Sequence, residues 1–216
     1  MSSSVKKTSI SAIVVAAGLS TRMGEPKQLL PYGKHTVIEQ IVSVLSTCSL
    51  DEILVITGHE RQAIEAKLAG WPVRAVFNPD YEQGEMLSSV QCGLAALEAE
   101  MAAALIVLSD QPQIEAAVVQ RLINTYRTEP GPLIIPSFQM RRGHPILIDR
   151  ACWPEILALD PSRMLREVIR AHAGEIHYVV VETEAVLRDI DTPEAYLQAL
   201  RQRALKQTAA PDQNQD

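Results

Sequence analysis

The sequence withholds most of the features that would assign a class at once. Its cysteines, Cys48, Cys92 and Cys152, are odd in number, widely spaced and form no CxxC pair. That spacing excludes a disulfide framework and a thiolate zinc site, and leaves small buried side chains in a reducing compartment as the expectation. Positive charge is not in excess either: 20 Lys+Arg face 26 Asp+Glu, a net charge of -6. Nothing in the bulk balance favours nucleic acid or an anionic membrane, although a local basic cluster can still bind phosphates. No apolar run reaches the roughly 18 residues of a membrane-spanning helix. There is no GK[ST] after a glycine loop and no GxGxxG turn, which excludes a Walker A loop and a dinucleotide fingerprint. No internal repeat and no long linker divides the chain.

What is present is a chain of 216 residues, 47% hydrophobic, enough to bury a core without metals or disulfides. We expect one domain over residues 1–208 and a disordered tail over 209–216, where "AAPDQNQD" turns polar. Near the start, Lys6 and Lys7 precede the apolar stretch Ile10 to Leu19, the outline of a secretory signal. Arg22, Lys27 and a proline-bracketed loop follow without a break, however. The expectation is therefore a retained N-terminus, an apolar run used as a buried strand, and a cytoplasmic protein.

Short β-branched runs recur as "SAIVVAA", "EILVIT", "VRAVF", "ALIVLSD", "PLIIPS", "HPILI" and "IHYVVV". Several are continuous rather than alternating, as in strands covered on both faces. Between them, Val37, Ile38, Ile41, Val42 and Leu45 keep helical spacing, as do Val90, Leu94, Leu97 and Met101, and Val118, Val119, Leu122, Ile123 and Tyr126. Alternating strand and helix predict an α/β fold with a mostly parallel sheet. The strands near 133 to 148 break the rhythm and suggest a small antiparallel excursion.

Ligands of such sheets sit beyond the carboxyl ends of the strands, so the residues following each run are the candidates. After the first, "AAGLSTRMGEPKQLLP" carries Gly18 and Gly24, which permit close approach, and Arg22 and Lys27, which suit phosphate oxygens. An ordinary loop with solvated charges has the same composition. Asp110 in "LIVLSDQPQI" ends a strand, placed either to hold a divalent cation or to cap a helix. "DIDTPEAY" sets Asp189 and Asp191 before a helix start at Thr192-Pro193, where capping accounts for one acid but not obviously for two. "RRGHPILI" offers Gly143 and His144 beside two arginines, as an anionic second substrate needs, or as a structural histidine. "NPDYEQGEMLSSVQCGL" places Asn78 after a strand and Ser88 and Ser89 near a helix start, suited to a nucleotide or to capping.

Taken in order from Val14 to Tyr196, "VVAAGLSTRMGEPKQLLP", "NPDYEQGEMLSSVQCGL", "LSDQP", "RRGHPILI" and "DIDTPEAY" resemble the MobA-like nucleotidyltransferases, and within them the molybdenum cofactor cytidylyltransferase branch. The resemblance implies a Rossmann-like three-layer α/β/α domain that joins a nucleoside monophosphate to a phosphorylated acceptor and releases pyrophosphate. It implies catalytic roles for Arg22, Lys27 and Asp110, and a nucleotide site of Ala16, Ala17, Gly18, Arg22, Lys27, Asn78, Ser88 and Ser89. Gly143 and His144 fall to the acceptor, and Asp110 and Asp191 to magnesium. Ile13 to Ala17 is expected as the first strand and Gly18 to Pro31 as the loop over the triphosphate. Ala17, where guanylyl enzymes more often have a second glycine, points to CTP rather than GTP. The acceptor it implies is a phosphorylated pterin, with a recipient molybdoenzyme or its chaperone as a possible protein partner. "GEMLSSV" carries an extra residue at Glu85 relative to the commonest spacing. A transferase using another nucleotide or acceptor, and a non-catalytic cofactor carrier, are the alternatives; a carrier has no need of triphosphate and metal groups together.

Overall fold

The computed structural model describes residues 8–83, 86–160 and 162–209. The spacing at Glu85 and the tail from 210 onward lie outside them. Ten strands are present among the described residues: β1 (Ile10–Val15), β2 (Pro31–Tyr32), β3 (His35–Thr36), β4 (Glu52–Thr57), β5 (Arg74–Phe77), β6 (Ala103–Leu108), β7 (Leu133–Phe138), β8 (Arg141–Arg142), β9 (Ile146–Asp149) and β10 (Ile176–Val180). The helices are α1 (Val37–Leu45), α2 (Arg61–Lys67), α3 (Met86–Ala96), α4 (Ala116–Thr128), α5 (Trp153–Ala158), α6 (Leu165–Ala171) and α7 (Pro193–Ala209).

The main sheet runs β10-β7-β9-β6-β1-β4-β5, with β8 added beside β7, while β2 and β3 form a separate hairpin. β1 pairs in parallel with β4 on one side and β6 on the other, Val15 lying opposite Ile56 and Leu108. The apolar run near the N-terminus is thus a central strand, though it begins at Ile10 and ends at Val15 rather than covering Ile13 to Ala17. Continuous hydrophobicity is required because alternate residues serve opposite layers: Ile10, Ala12 and Val14 face a core shared with α1 and α4, and Ile13 faces a core shared with α3, α5 and α6. Each fully buried isoleucine contributes about 1.5–3 kcal/mol of burial. The architecture is a Rossmann-like three-layer α/β/α fold.

Two expectations need correction. β9 is no small excursion: it lies inside the sheet, antiparallel to both β6 and β7, with Leu147 opposite Leu105 and Ile134. Hydrogen bonding on both edges lets a short strand fill the gap between two parallel ones. Leu97 and Met101 lie beyond the end of α3, because the chain turns there, Met101 N–H donating to Glu98 O at 3.2 Å, to reach β6. Both side chains still pack on the core. Cys152 is buried, Cys48 and Cys92 are half-buried, and all are free thiols.

Candidate functional site

The strand order places β4 and β6 on opposite sides of β1, so the connections out of β1 and β6 diverge and leave a crevice at their carboxyl ends. Register sets the floor of that crevice. Val15 is level with Leu108, and Ser109 N–H donates to Val15 O at 3.3 Å. Asp110 therefore emerges beside the loop that begins at Ala16. The segment from Asp189 to Asp191 is docked onto the same place by its backbone, Ile190 N–H donating to Asp110 O at 2.9 Å, while the Ile190 side chain is buried. This is why an acid pair flanks an apolar residue: the isoleucine anchors the segment in the core and leaves its neighbours at the surface of the crevice.

Lys27 opens a 3-10 turn over Lys27–Leu29 and reaches across to both acids. Its Nζ donates to Asp110 Oδ2 at 2.7 Å and to Asp191 Oδ1 at 2.8 Å. The Arg22 guanidinium meets the other Asp191 oxygen at 2.7 Å from the rim, with 71% of its side chain exposed against 13% for Lys27. Burial works against the charge of Lys27, but Asp110 and Asp191 outweigh it and hold its pKa above the ordinary value. Asp191 is also penalised by burial, yet Lys27 and then Arg22 bring its pKa below the usual carboxylate value. Burial, followed by the charge of Asp110, pushes Asp189 the other way.

Neither acid caps a helix. The helix after Asp110 starts only at Ala116, and at α7 it is Thr192 Oγ1 that accepts from Ala195 N–H at 3.2 Å. Asp110 Oδ1 is buried without a partner among the described residues. A carboxylate oxygen left without a donor in a charged crevice fits a hard cation, and magnesium-type sites need only one or two carboxylates with phosphate and water completing the shell. No cluster of three or more metal-binding side chains occurs among the described residues.

A cavity of about 220 Å³ opens beside this cluster, lined by Ala17, Gly18, Lys27, Gln28, Tyr81, Ser89, Ser109 and Asp110 among others. Ala16 is not part of it: one residue out of phase, it is fully buried in the α1–α4 core and donates its N–H to Ile56 O at 2.9 Å. Asn78 and the serines form a buried polar knot, the Asn78 amide donating to Ser88 Oγ at 3.0 Å and Ser89 Oγ at 3.1 Å. Ser89 lines the cavity and Ser88 does not. On the far side of Asp110, Gly143 packs so closely that a Cβ there would lie 2.5 Å from Val186 O, and its neighbour His144 donates its N–H to the same oxygen at 2.9 Å. Burial holds the His144 pKa down, opposed by the charge of Asp110.

Sequence reasoning did not single out Gln28, Ser109 and Tyr81, although all lie inside quoted motifs. Gln28 is almost wholly buried and bridges Ser20, whose Oγ donates to Gln28 Oε1 at 3.3 Å, to Ser109. A buried amide beside the only lysine of that loop was the available signal. A larger hollow of about 800 Å³ lies under α7 between Tyr32, Gln113 and Arg203. Pro112 at its edge is the last residue of the "LSDQP" motif, but none of the candidate site residues lines it, and its charges largely pair among themselves, as Lys206 with Glu115 at 2.7 Å.

A parallel-sheet crevice carrying a glycine-bearing loop, two cations, an acid at the end of β6 and a second acid just before α7 defines a nucleotide-handling transferase of Rossmann-like fold. Residues 12–176 match the MobA-like NTP transferase domain, and the chain belongs to that family of nucleotidyltransferases. Among curated relatives, the molybdenum cofactor cytidylyltransferase of Escherichia coli is 27% identical over 89% of this chain and 96% of its own length. Nicotine blue oxidoreductase of Paenarthrobacter nicotinovorans is 29% identical over 86% of this chain and 93% of its own. Among solved structures, Rv0371c of Mycobacterium tuberculosis superposes with a TM-score of 0.81 at 26% identity, covering 90% of this chain and 98% of that one. The same protein has been solved with manganese.

Proposed function

We propose that the protein is a cytoplasmic, magnesium-dependent cytidylyltransferase that moves CMP from CTP to the phosphate of molybdopterin and releases pyrophosphate. The observation that carries this reading is the convergence of Arg22, Lys27, Asp110 and Asp191 on one crevice at the ends of β1 and β6. The likeness to the E. coli cytidylyltransferase over nearly the whole chain supports the choice of nucleotide and acceptor.

In this reading an oxygen of the acceptor phosphate forms a bond to the α-phosphorus of CTP while the bond to the bridging oxygen of the β-phosphate breaks. The electron pair leaves with pyrophosphate. No protein nucleophile is needed, so the side chains act by positioning and by neutralising charge. Lys27 and Arg22 hold the phosphates. Asp110 and Asp191 hold the metal, which supplies charge neutralisation at the phosphate oxygens when bound. Ala17 and Gly18 border the nucleoside, Ser89 and the Asn78–Ser88 knot support its seat, and Gly143 and His144 face the acceptor. Ala17, which lines the cavity where guanylyl enzymes more often have a second glycine, supports CTP over GTP.

Another phosphorylated acceptor, or GTP, is the alternative within the same chemistry. Pyrophosphate release from CTP, GTP and ATP, each with and without molybdopterin, tests the proposal. Release from CTP that depends on molybdopterin supports it; equal release from GTP, or release with an unrelated phosphate ester only, transfers the assignment to the alternative.

A further inference from the structure

The free crevice is already neutralised, and by a residue assigned to the phosphates. Of the four carboxylate oxygens on Asp110 and Asp191, Lys27 Nζ engages one of each at 2.7 and 2.8 Å, and Arg22 engages the second oxygen of Asp191 at 2.7 Å. Only Asp110 Oδ1 is left over, buried and without a partner among the described residues. One oxygen is too small a foothold for a hard divalent ion, which must exchange tightly held waters for its ligands. A cation arriving while the lysine is in place would also meet an ammonium group bonded to the same two carboxylates.

We infer that Lys27 is the internal counter-cation of the free site: it occupies the place between Asp110 and Asp191 and keeps divalent metal out until the nucleotide's phosphates draw it away. The inference rests on the reading of Asp110 and Asp191 as metal ligands and of Lys27 as a phosphate ligand. Lysine suits the exchange because its ammonium is a mobile point charge on a flexible four-carbon stem. The backbone beneath it stays fixed. Lys27 N–H donates to Ser20 Oγ at 3.3 Å, and the adjacent Gln28 amide ties the turn to Ser20 and Ser109. Only the side chain has to move, and both ends of the movement carry opposite charge. Arg22 cannot do the same, because its side chain is 71% exposed and its bond to Asp191 is at the screened rim. Metal and nucleotide are thereby coupled: nucleotide frees two carboxylate oxygens for the metal, and the metal removes the lysine's alternative partners, which favours its stay on the phosphates.

The consequence runs against intuition, since removing a cationic catalytic residue improves metal binding to the free enzyme. The full-length protein is titrated with Mn2+ and followed by the loss of the free-ion electron paramagnetic resonance signal, with melting temperature recorded in parallel. The forms are wild type, Lys27→Met, Lys27→Gln in case the first misfolds, and Lys27→Met/Asp110→Asn. Without nucleotide, the wild type is expected to bind Mn2+ at least tenfold more weakly than Lys27→Met, and Mn2+ is expected to raise the melting temperature of Lys27→Met but not of wild type. Adding Asp110→Asn abolishes the gain. With CTP present, wild type binds Mn2+ more tightly than Asp110→Asn does. Equal, Asp110-dependent Mn2+ binding by wild type and both Lys27 variants without nucleotide overturns the counter-cation role and leaves the metal site standing. If no form binds Mn2+ in an Asp110-dependent way even with CTP, the metal-site reading itself fails and takes this inference with it.

Discussion

Lys27 and Asp191 meet at 2.8 Å although 164 residues separate them, and the same ammonium meets Asp110 at 2.7 Å. The loop after β1, the end of β6 and the approach to α7 are thus joined by one side chain. Replacing Lys27 with Ala is expected to lower kcat/KM for CTP by about 10- to 150-fold, the worth of a charge-assisted contact of about 1.5–3 kcal/mol. Arg22→Ala should cost less, because its guanidinium is the more exposed of the two. Steady-state kinetics on both variants check the ranking; an equal or greater loss in Arg22→Ala contradicts it.

Asp191 and Thr192 are adjacent but are expected to fail differently. Thr192 accepts from Ala195 N–H as the cap of α7, and Asp191 makes no such bond. Thr192→Ala should lose about 1 kcal/mol of stability with turnover largely kept. Asp191→Asn should lose most activity, with a smaller fall in melting temperature than Thr192→Ala. Finding the two results exchanged would return Asp191 to a capping role.

The Asp191 contacts also set a pH dependence. Its pKa is lowered in the folded state, so its contribution to stability is present above its ordinary value of 3.8 and is lost as pH falls through the lower folded value. The difference in melting temperature between wild type and Asp191→Asn should therefore be constant from pH 5 to 7 and shift below about pH 4. A difference that drifts across pH 5 to 7 would assign the effect to another group.

His172 titrates in the opposite sense. Hydrogen bonds to Glu155 at 2.8 Å and Glu175 at 2.9 Å raise its pKa above 6.5. Its stabilising contribution is complete below that value and is lost as pH rises through the folded pKa. His172→Ala should thus be more destabilising at pH 6 than at pH 9 in thermal melts, and a pH-independent difference contradicts the pairing.

Much of this site was legible because chemistry and strand ends coincide in the sequence. Arg22 and Lys27 lie in the loop after β1 and Asp110 follows β6, and a parallel sheet gathers such positions at one edge; Asp191 stood out as an acid before a helix start and reaches the site through the bond of Ile190 N–H to Asp110 O. The interior strands β1, β4, β6 and β7 are nearly continuous apolar segments, and continuity is what two-sided burial demands, whereas the edge strands β5 and β10 are largely exposed. What escaped depends on phase and on partners distant in sequence. Ala16 and Ala17 read alike as letters, yet one faces the core and the other the cavity. β9 reads as half of a hairpin with β7, and only the register with β6 shows it to be interior. Gln28 looks like a surface residue until Ser20 and Ser109 close around it.

In the proposed reaction one crevice, organised by Asp110 and Lys27, binds a cytidine triphosphate together with its metal. Isothermal titration of CTP and GTP into wild type, Asp110→Asn and Lys27→Met, with magnesium and with EDTA, measures it directly. Wild type is expected to bind CTP in magnesium more tightly than GTP and to bind CTP at least tenfold more weakly in EDTA, and each variant is expected to lose at least tenfold of the magnesium-supported affinity. CTP affinity unchanged in both variants, or indifferent to magnesium, would contradict it.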